Sequence, residues 1–236
     1  MITRTASHLY AETIAEGDFR DEWEELLDVL GAVDPPLRSA GPFTSGGRPP
    51  TPKRQFRTIG GVRRYAMFPI DQAAFNSILD GRLRGLGWAR QPIARGDLVA
   101  GPIPNNLLGD FAKGGIFVEV EFGNMASGFR DLFKFQIASR SGAGRLGVLV
   151  VAADRVARFF DQGVATFEQV TRLLPYMGIG LQLPTVVIGL DLNDWSPVSR
   201  RYEEMRNVAE SNGLECHSFE AVFGAPLQLE LDSKEG

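Results

Sequence analysis

The chain has 236 residues, of which 44% are hydrophobic and 23% charged, the composition of a folded globular protein with a sizeable core. Its net charge of −4 argues against a generic basic nucleic-acid coat, and its single cysteine excludes an internal disulfide and a multi-cysteine zinc site. There is no run of 18 apolar residues and no apolar N-terminal run, so we expect a cytoplasmic protein without a membrane span or signal peptide.

The N-terminal part of the chain shows helical patterns separated by irregular segments. Residues 11–30 carry apolar side chains at helical spacing among acidic ones, which predicts an acidic helix. A segment rich in Pro, Gly and Ser at about 34–56 predicts a long loop, and residues 57–67 predict a strand or ribbon. A second helix is predicted from Asp71, a plausible N-cap, to about Leu86.

Predicted strands and helices alternate in the rest of the chain, which favours a sheet flanked by helices. An irregular stretch is predicted at 91–108 and a frayed tail at 232–236. The sequence contains neither an internal repeat nor a Gly-rich phosphate loop in the right context. The patterns predict strands at 116–122, 146–153 and 184–190, and helices at 127–138, 161–174 and 200–211.

Three carboxylates cluster in and just before the first of these strands. Because side chains alternate between the faces of a strand, Phe117, Glu119 and Glu121 share one face, and the two acids lie roughly 6.5–7 Å apart at the backbone. Asp110, nine positions before Glu119, can return to the same place from a neighbouring strand or turn. Such carboxylate sets suit Mg²⁺, which prefers oxygen ligands and keeps several waters beside a phosphate substrate.

The same alternation is typical of a half-exposed strand whose polar residues face water. The pattern alone therefore leaves both interpretations open. A glycosidase with paired carboxylates is a third class. Its acids flank a sugar bond from opposite sides, an arrangement that two neighbours on one strand provide poorly.

The residues around this strand resemble a known family. Asp110, followed after eight residues by Glu119-Val120-Glu121-Phe122-Gly123-Asn124, resembles the active-site segment of type II restriction endonucleases of the BamHI/BglII/BstYI group, in the PD-(D/E)XK nuclease superfamily. The following helix, with Asp131-Leu132-Phe133-Lys134, and the later strands extend the resemblance over roughly residues 70–191. It implies an α/β, restriction-endonuclease-like fold with a central mixed β-sheet flanked by helices, in a single nuclease domain over residues 1–236.

Two positions depart from the pattern of the wider superfamily. Gly109 stands where the usual motif has Pro before the first acid. Glu121 stands where the motif has Lys, two residues after the second acid. The BamHI-like branch accepts Glu or Gln at that position, so Glu121 agrees with the branch. It puts in doubt any mechanism that uses a lysine.

The resemblance implies a catalytic part for several residues. Asp110 and Glu119 would hold Mg²⁺, with the backbone carbonyl of Val120 as a further ligand. Glu121 would orient or deprotonate the attacking water, in place of the superfamily lysine. Asn76, on the upstream helix, would be a further polar member of the site, although the position favours a solvent-facing helix residue.

The resemblance also implies contacts with double-stranded DNA. Asn124 would contact a base edge, since an amide both donates and accepts, or it is simply a turn residue. Arg130 is a second candidate for such a contact, and Arg140 and Arg145 are candidates for phosphate contacts. A homodimer would match the two-fold symmetry of a palindromic site.

The sequence therefore predicts a site-specific double-stranded DNA endonuclease, a type II restriction enzyme that hydrolyses phosphodiester bonds with Mg²⁺. Two related functions stay open: a non-specific or repair-type DNA nuclease, and a non-catalytic DNA-binding relative whose acids no longer bind metal. A structural role, with the acids on a solvent face, is the remaining alternative.

Overall fold

A mixed β-sheet covered by helices organises the chain. The computed structural model describes residues 1–40, 56–90, 109–140, 142 and 144–224, without the side chains of 177–179. No helix in these residues is both long enough and apolar enough to cross a membrane. The strands are β1 (Ile2–His8), β2 (Phe56–Ile59), β3 (Val62–Tyr65), β4 (Ala89–Arg90), β5 (Phe111–Lys113), β6 (Ile116–Glu121), β7 (Leu146–Ala152) and β8 (Thr185–Asp191). The helices are α1 (Ala11–Asp18), α2 (Arg20–Ala32), α3 (Gln72–Gly85), α4 (Met125–Arg140), α5 (Asp154–Ala157), α6 (Phe167–Leu173), α7 (Ser196–Ser211) and α8 (Phe219–Phe223), with a 3-10 helix at Leu174–Ile179.

Six strands of the described residues form one sheet in the order β1-β8-β7-β6-β5-β4, and β2 and β3 form a separate ribbon. The central strands β6, β7 and β8 are parallel, whereas β1 at one edge and β5 and β4 at the other are antiparallel to their neighbours. Helix α4 connects β6 to β7, and α5 and α6 connect β7 to β8, as parallel strands require. The predicted α/β class with a central mixed sheet flanked by helices is confirmed.

The sheet buries apolar side chains on both faces. Val118 belongs to the larger of two apolar clusters, which also contains side chains of α2, α3 and α7. Phe117 belongs to the smaller cluster, with Phe135 of α4. The alternation predicted for this strand is thus confirmed. Glu119 and Glu121 share the face of Phe117, which α4 covers.

The ribbon and the second helix follow the sequence prediction. Strands β2 and β3 occupy most of the segment 57–67. Helix α3 begins after Asp71, whose Oδ1 accepts a hydrogen bond from the backbone N–H of Ala74 at 3.1 Å, the predicted N-cap. The predicted loop at 34–56 lies largely outside the described residues. The predicted irregular stretch and the predicted tail lie wholly outside them.

Two of the predicted helices differ from the structure. The acidic helix at 11–30 is in fact α1 and α2, because the backbone leaves the helical conformation at Phe19, with φ −129°. The helix predicted at 161–174 begins only with α6, because Thr166 and Gln169 form a capping box there. Strand β1 has no counterpart in the sequence predictions, since its mostly polar segment becomes a strand by pairing with β8.

Gly189 of β8 marks a close approach between the sheet and α6. A Cβ at this position would lie 2.6 Å from Cγ of Phe167. We expect Gly189→Ala to lower the free energy of unfolding by about 1–3 kcal/mol, the usual cost of overpacking a core, as measured by urea denaturation. Gly81→Ala on α3 is the matched control. Its added Cβ meets nothing within 4 Å, so stability should stay constant or rise by up to about 1 kcal/mol. Equal losses in the two variants would contradict this account.

Candidate active site

A tight hairpin brings Asp110 beside Glu119. A two-residue turn, with positive φ at both of its glycines, joins β5 to β6. The two strands are antiparallel with Phe111 opposite Val118, so Asp110 and Glu119 are the next two residues in register. Oδ2 of Asp110 accepts a hydrogen bond of 2.8 Å from the N–H of Val120. The acids that the sequence predicted as a pair therefore meet.

Glu119 is buried, with 1% of its surface exposed, and its two carboxylate oxygens have different surroundings. Oε2 accepts a hydrogen bond of 2.8 Å from Nζ of Lys134. Oε1 is also buried, and no hydrogen bond reaches it from the described residues. Because a buried oxygen without a partner has lost its hydration, Oε1 is suited to bind a cation.

Burial and neighbouring acids increase the affinity of Glu119 and of Asp110 for protons. Burial raises the pKa of Glu119 from the ordinary value of 4.5 to about 9, and the charges of Asp110 and Asp131 act in the same direction, whereas Lys134 opposes the rise. Burial also raises the pKa of Asp110, and the N–H of Val120 opposes that rise. A divalent cation between the two carboxylates would offset both the burial and the repulsion.

Glu121 lies at the end of β6, 8% exposed. Its Oε1 accepts a hydrogen bond from the N–H of Gly123, and its Oε2 lies 3.6 Å from Nη2 of Arg130. Burial and the charge of Asp131 raise the pKa of Glu121 from 4.5 to about 7, while the Gly123 N–H and Arg130 oppose the rise. A carboxyl group with a pKa near neutral is suited to take a proton from water.

Close packing explains why glycine precedes the first acid. A Cβ at Gly109 would lie 2.3 Å from Cζ of Phe117 and 2.9 Å from Oε1 of Glu119. Neither a proline ring nor another side chain fits unless the phenyl ring or the carboxylate moves. Gly109 thus allows the backbone that carries Asp110 to pass directly beside Glu119.

The sequence reasoning missed two charged residues of this cluster, Lys134 and Asp131. Both are buried on α4, with Nζ of Lys134 2.8 Å from Oδ1 of Asp131, and the same ammonium group contacts Glu119. A signal was available in the sequence. Charged residues on the face of a helix that covers a buried strand need partners, and the acids of β6 are the partners within reach.

The two predicted asparagines lie close to the strand of the acids, and among the described residues neither forms a hydrogen bond with the acids. Asn124 is exposed just after β6, and its Oδ1 accepts a hydrogen bond of 3.1 Å from the N–H of Ser127 in the first turn of α4. Asn76 is exposed on α3, next to Phe75, whose ring contacts that of Phe122 with centroids 5.2 Å apart. Within the part of the chain that is described, no hydrogen bond joins Asn76 to the three acids.

The three predicted arginines lie at different ends of the sheet. Arg130 is part of the acid cluster through its contact with Glu121. Arg140 is exposed in the last turn of α4. Arg145 pairs with Asp18 at 3.1 Å, and its backbone N–H bonds to the turn before β6. Since Glu121 is at the other end of β6, the structure keeps Arg140 and Arg145 apart from the acids.

The residues present fit a divalent cation. In the described ranges, no group of three or more His, Cys, Asp or Glu side chains forms a ready metal site. The ligands predicted from the sequence include only two such side chains, the carboxylates of Asp110 and Glu119, together with the main-chain carbonyl of Val120. These oxygens suit Mg²⁺, which keeps several waters, and the buried Oε1 of Glu119 lacks a partner that a cation would supply.

Comparison with solved structures defines the class as the restriction-endonuclease fold. The chain is similar to the BglII restriction endonuclease complexed with a DNA 16-mer, with a TM-score of 0.58, 14% identity, and coverage of 82% of this chain and 79% of that chain. It is also similar to free BglII, with a TM-score of 0.52, 15% identity, and coverage of 82% and 81%.

The family follows from a sequence comparison. A family model described as "Restriction endonuclease BglII/BglIII" matches residues 3–190, and a comparison with curated proteins finds no match. The chain therefore belongs to the BglII/BglIII restriction endonuclease family, and the resemblance inferred from its acids is confirmed. Membership makes it a BglII-like nuclease that acts on DNA.

The raised pKa of Glu119 predicts how stability depends on pH when divalent cations are removed. The unfolded chain releases this proton near pH 4.5 and the folded protein near 9, so the folded state binds more protons between these values. This contribution to stability is fully present below the lower value and is lost as pH rises through the higher one. Glu119→Gln cannot titrate. In EDTA, its free energy of unfolding should therefore fall less steeply between about pH 5 and about pH 9 than that of the wild type. Equally steep pH dependence of the free energy of unfolding in the two proteins would contradict the raised pKa of Glu119.

Proposed function

We propose that the protein is a type II restriction endonuclease that cuts double-stranded DNA at a specific site by Mg²⁺-dependent hydrolysis of phosphodiester bonds. One observation carries the proposal: Asp110 and Glu119 meet in the hairpin, and the buried Oε1 of Glu119 lacks a partner. Family membership supports the nuclease activity, and the complex of the related BglII with DNA supports the choice of substrate.

The three acids have distinct parts in the proposed hydrolysis. Asp110, Glu119 and the backbone carbonyl of Val120 would hold the cation. Mg²⁺ bound there would lower the pKa of a coordinated water and neutralise the charge that develops on the phosphate. Glu121, with its pKa raised to about 7, orients or deprotonates the attacking water. Arg130 opposes that rise and so favours the ionised form of Glu121.

The proposed DNA contacts lie at both ends of the central strands. Asn124 contacts a base edge through its amide N–H groups, since its oxygen caps α4. Arg130, whose Nη2 lies 3.6 Å from Oε2 of Glu121, is a second candidate for a base contact. Arg140 and Arg145, at the other end of the sheet, contact phosphates away from the scissile bond. Asn76 is proposed as a further polar member of the catalytic site, although its helix α3 packs Phe75 on Phe122, on the sheet face opposite the acids.

The proposed active form is a homodimer of single nuclease domains, each formed by residues 1–236. Two-fold symmetry of the protein would match the symmetry of a palindromic site, with each subunit cutting one strand. Phe129 and Phe133 support such pairing, since they lie one turn apart on α4 with 46% and 58% of their surface exposed. Exposed aromatic side chains at helical spacing are typical of an interface.

A digest of unmethylated phage DNA in Mg²⁺ tests the proposed function. The wild type should produce discrete fragments. Glu119→Ala should lose cleavage by several orders of magnitude yet still bind DNA, as measured by gel shift, because the substitution removes a metal ligand and no base contact. Replacement of Mg²⁺ by Ca²⁺ should allow binding without cleavage.

The alternatives predict other patterns. A smear in place of discrete fragments would indicate a non-specific or repair-type nuclease. DNA binding without cleavage by the wild type would indicate a non-catalytic relative. Efficient cutting in EDTA, or full activity of Glu119→Ala, would contradict the metal mechanism.

The part played by Glu121 is tested by Glu121→Gln, which keeps the shape and one hydrogen-bond acceptor but cannot take a proton. If Glu121 mainly orients water, the cleavage rate should fall less than in Glu119→Ala. If Glu121 is the general base, the loss should match that of Glu119→Ala, and the acidic limb of the pH–rate profile of the wild type should follow a pKa of about 7. Unchanged activity would remove Glu121 from the mechanism.

A further inference from the structure

Helix α4 supplies one cationic side chain to each acid of β6. Nζ of Lys134 is 2.8 Å from Oε2 of Glu119, and Nη2 of Arg130 is 3.6 Å from Oε2 of Glu121. The spacing of the two pairs matches, because two residues of a strand advance about 6.6 Å and four residues of a helix about 6 Å. The chain reverses between β6 and α4, so the earlier helix residue meets the later strand residue.

Lys134 is the more deeply placed of the two cations. It is 4% exposed, and its ammonium group lies between two buried carboxylates, 2.8 Å from Glu119 and 2.8 Å from Oδ1 of Asp131. Lysine is seldom buried unless it is paired, and a buried ion pair often contributes no more stability than apolar side chains of the same volume. Stabilisation of the fold is therefore a weak explanation for the presence of a buried lysine at this position.

The sum of the formal charges shows how much negative charge the cluster retains for a metal ion to neutralise. When all groups are ionised, the four acids (Asp110, Glu119, Glu121 and Asp131) carry four negative charges, and Lys134 and Arg130 carry two positive ones. The balance of −2 matches one divalent cation. With the charge of Lys134 included, the cluster therefore still carries the negative charge that one divalent cation would neutralise. The ammonium group of Lys134 contacts one of the two oxygens of Glu119, a proposed ligand.

We propose that Lys134 is a positioning residue of the active site. Its ammonium group holds Oε2 of Glu119 and leaves Oε1 as the oxygen available to the divalent cation, and Asp131 anchors the ammonium group from its other side. Lys134 thereby brings to the acid cluster, from the neighbouring helix, the lysine that the common motif carries at the position of Glu121. The inference rests on the proposed function, since it assigns Glu119 to the cation.

Calorimetric titration of Ca²⁺ into the protein without DNA tests this assignment, with Ca²⁺ as the probe. The wild type is compared with Lys134→Met, which loses the donor and the charge, and with Lys134→Gln, which loses the charge but keeps N–H donors on a slightly shorter side chain. Positioning predicts that Ca²⁺ affinity falls at least tenfold in Lys134→Met and is largely restored in Lys134→Gln. A purely electrostatic influence predicts the opposite, because removing a positive charge attracts a cation more strongly.

The matched control is Lys113→Met. Lys113 forms a similar ion pair, with Nζ 2.7 Å from Oε1 of Glu25, between β5 and α2. Its loss should leave Ca²⁺ affinity unchanged. If Lys134→Met does not fold, as judged by its thermal melt, the double variant Lys134→Met/Asp131→Asn takes its place, because it also removes the charge of Asp131, one of the two buried carboxylates that lose their cation. It should show the same fall in affinity.

The outcomes separate this inference from the proposed function. Unchanged or tighter Ca²⁺ binding by Lys134→Met, in a protein whose wild type binds Ca²⁺ and cuts DNA, would overturn the role of Lys134 alone. Loss of Ca²⁺ binding in Lys134→Met beside a wild type that binds Ca²⁺ but cuts no DNA would support Lys134 and contradict the nuclease. A wild type that binds no Ca²⁺ would overturn both.

Discussion

Burial of two carboxylates on the same strand face as Phe117 is the constraint on which the rest of this site depends. An ionised carboxylate in a protein interior costs several kcal/mol unless a cation or hydrogen bonds offset the lost hydration. The structure offsets this cost only in part, because Lys134 meets one oxygen of Glu119 and the other has no partner among the described residues. The incomplete compensation is what makes the cluster fit for a divalent cation.

The hairpin of β5 and β6 places Asp110, the other carboxylate of the proposed metal site, beside Glu119. Asp110 is held by the N–H of Val120, so its position follows from the backbone of the strand that carries Glu119. Gly109 is part of the same geometry, because any side chain there would collide with Phe117 and Glu119. A departure from the superfamily motif is therefore explained by local packing in this chain.

Helix α4 links the fold to the proposed chemistry. Phe135 on its inner face packs on Phe117, with ring centroids 6.1 Å apart, and fixes the helix against the sheet. The same attachment brings Arg130 and Lys134 to the acids, and Phe129 and Phe133 are left on the outer face. One helix thus connects core packing, the electrostatics of the acids and the face proposed for a second subunit.

The sequence by itself determined the central strands, the common face of Phe117, Glu119 and Glu121, the N-cap at Asp71 and the family. These follow from local periodicity, from capping chemistry and from a motif that spans few residues. The tertiary structure decided the remaining features. The mostly polar segment Ile2–His8 became a strand only by pairing with β8, and the long acidic helix was broken at Phe19. Lys134 and Asp131 joined the acids because α4 folds back over β6, and this contact between residues fifteen apart depends on how the helix packs on the sheet.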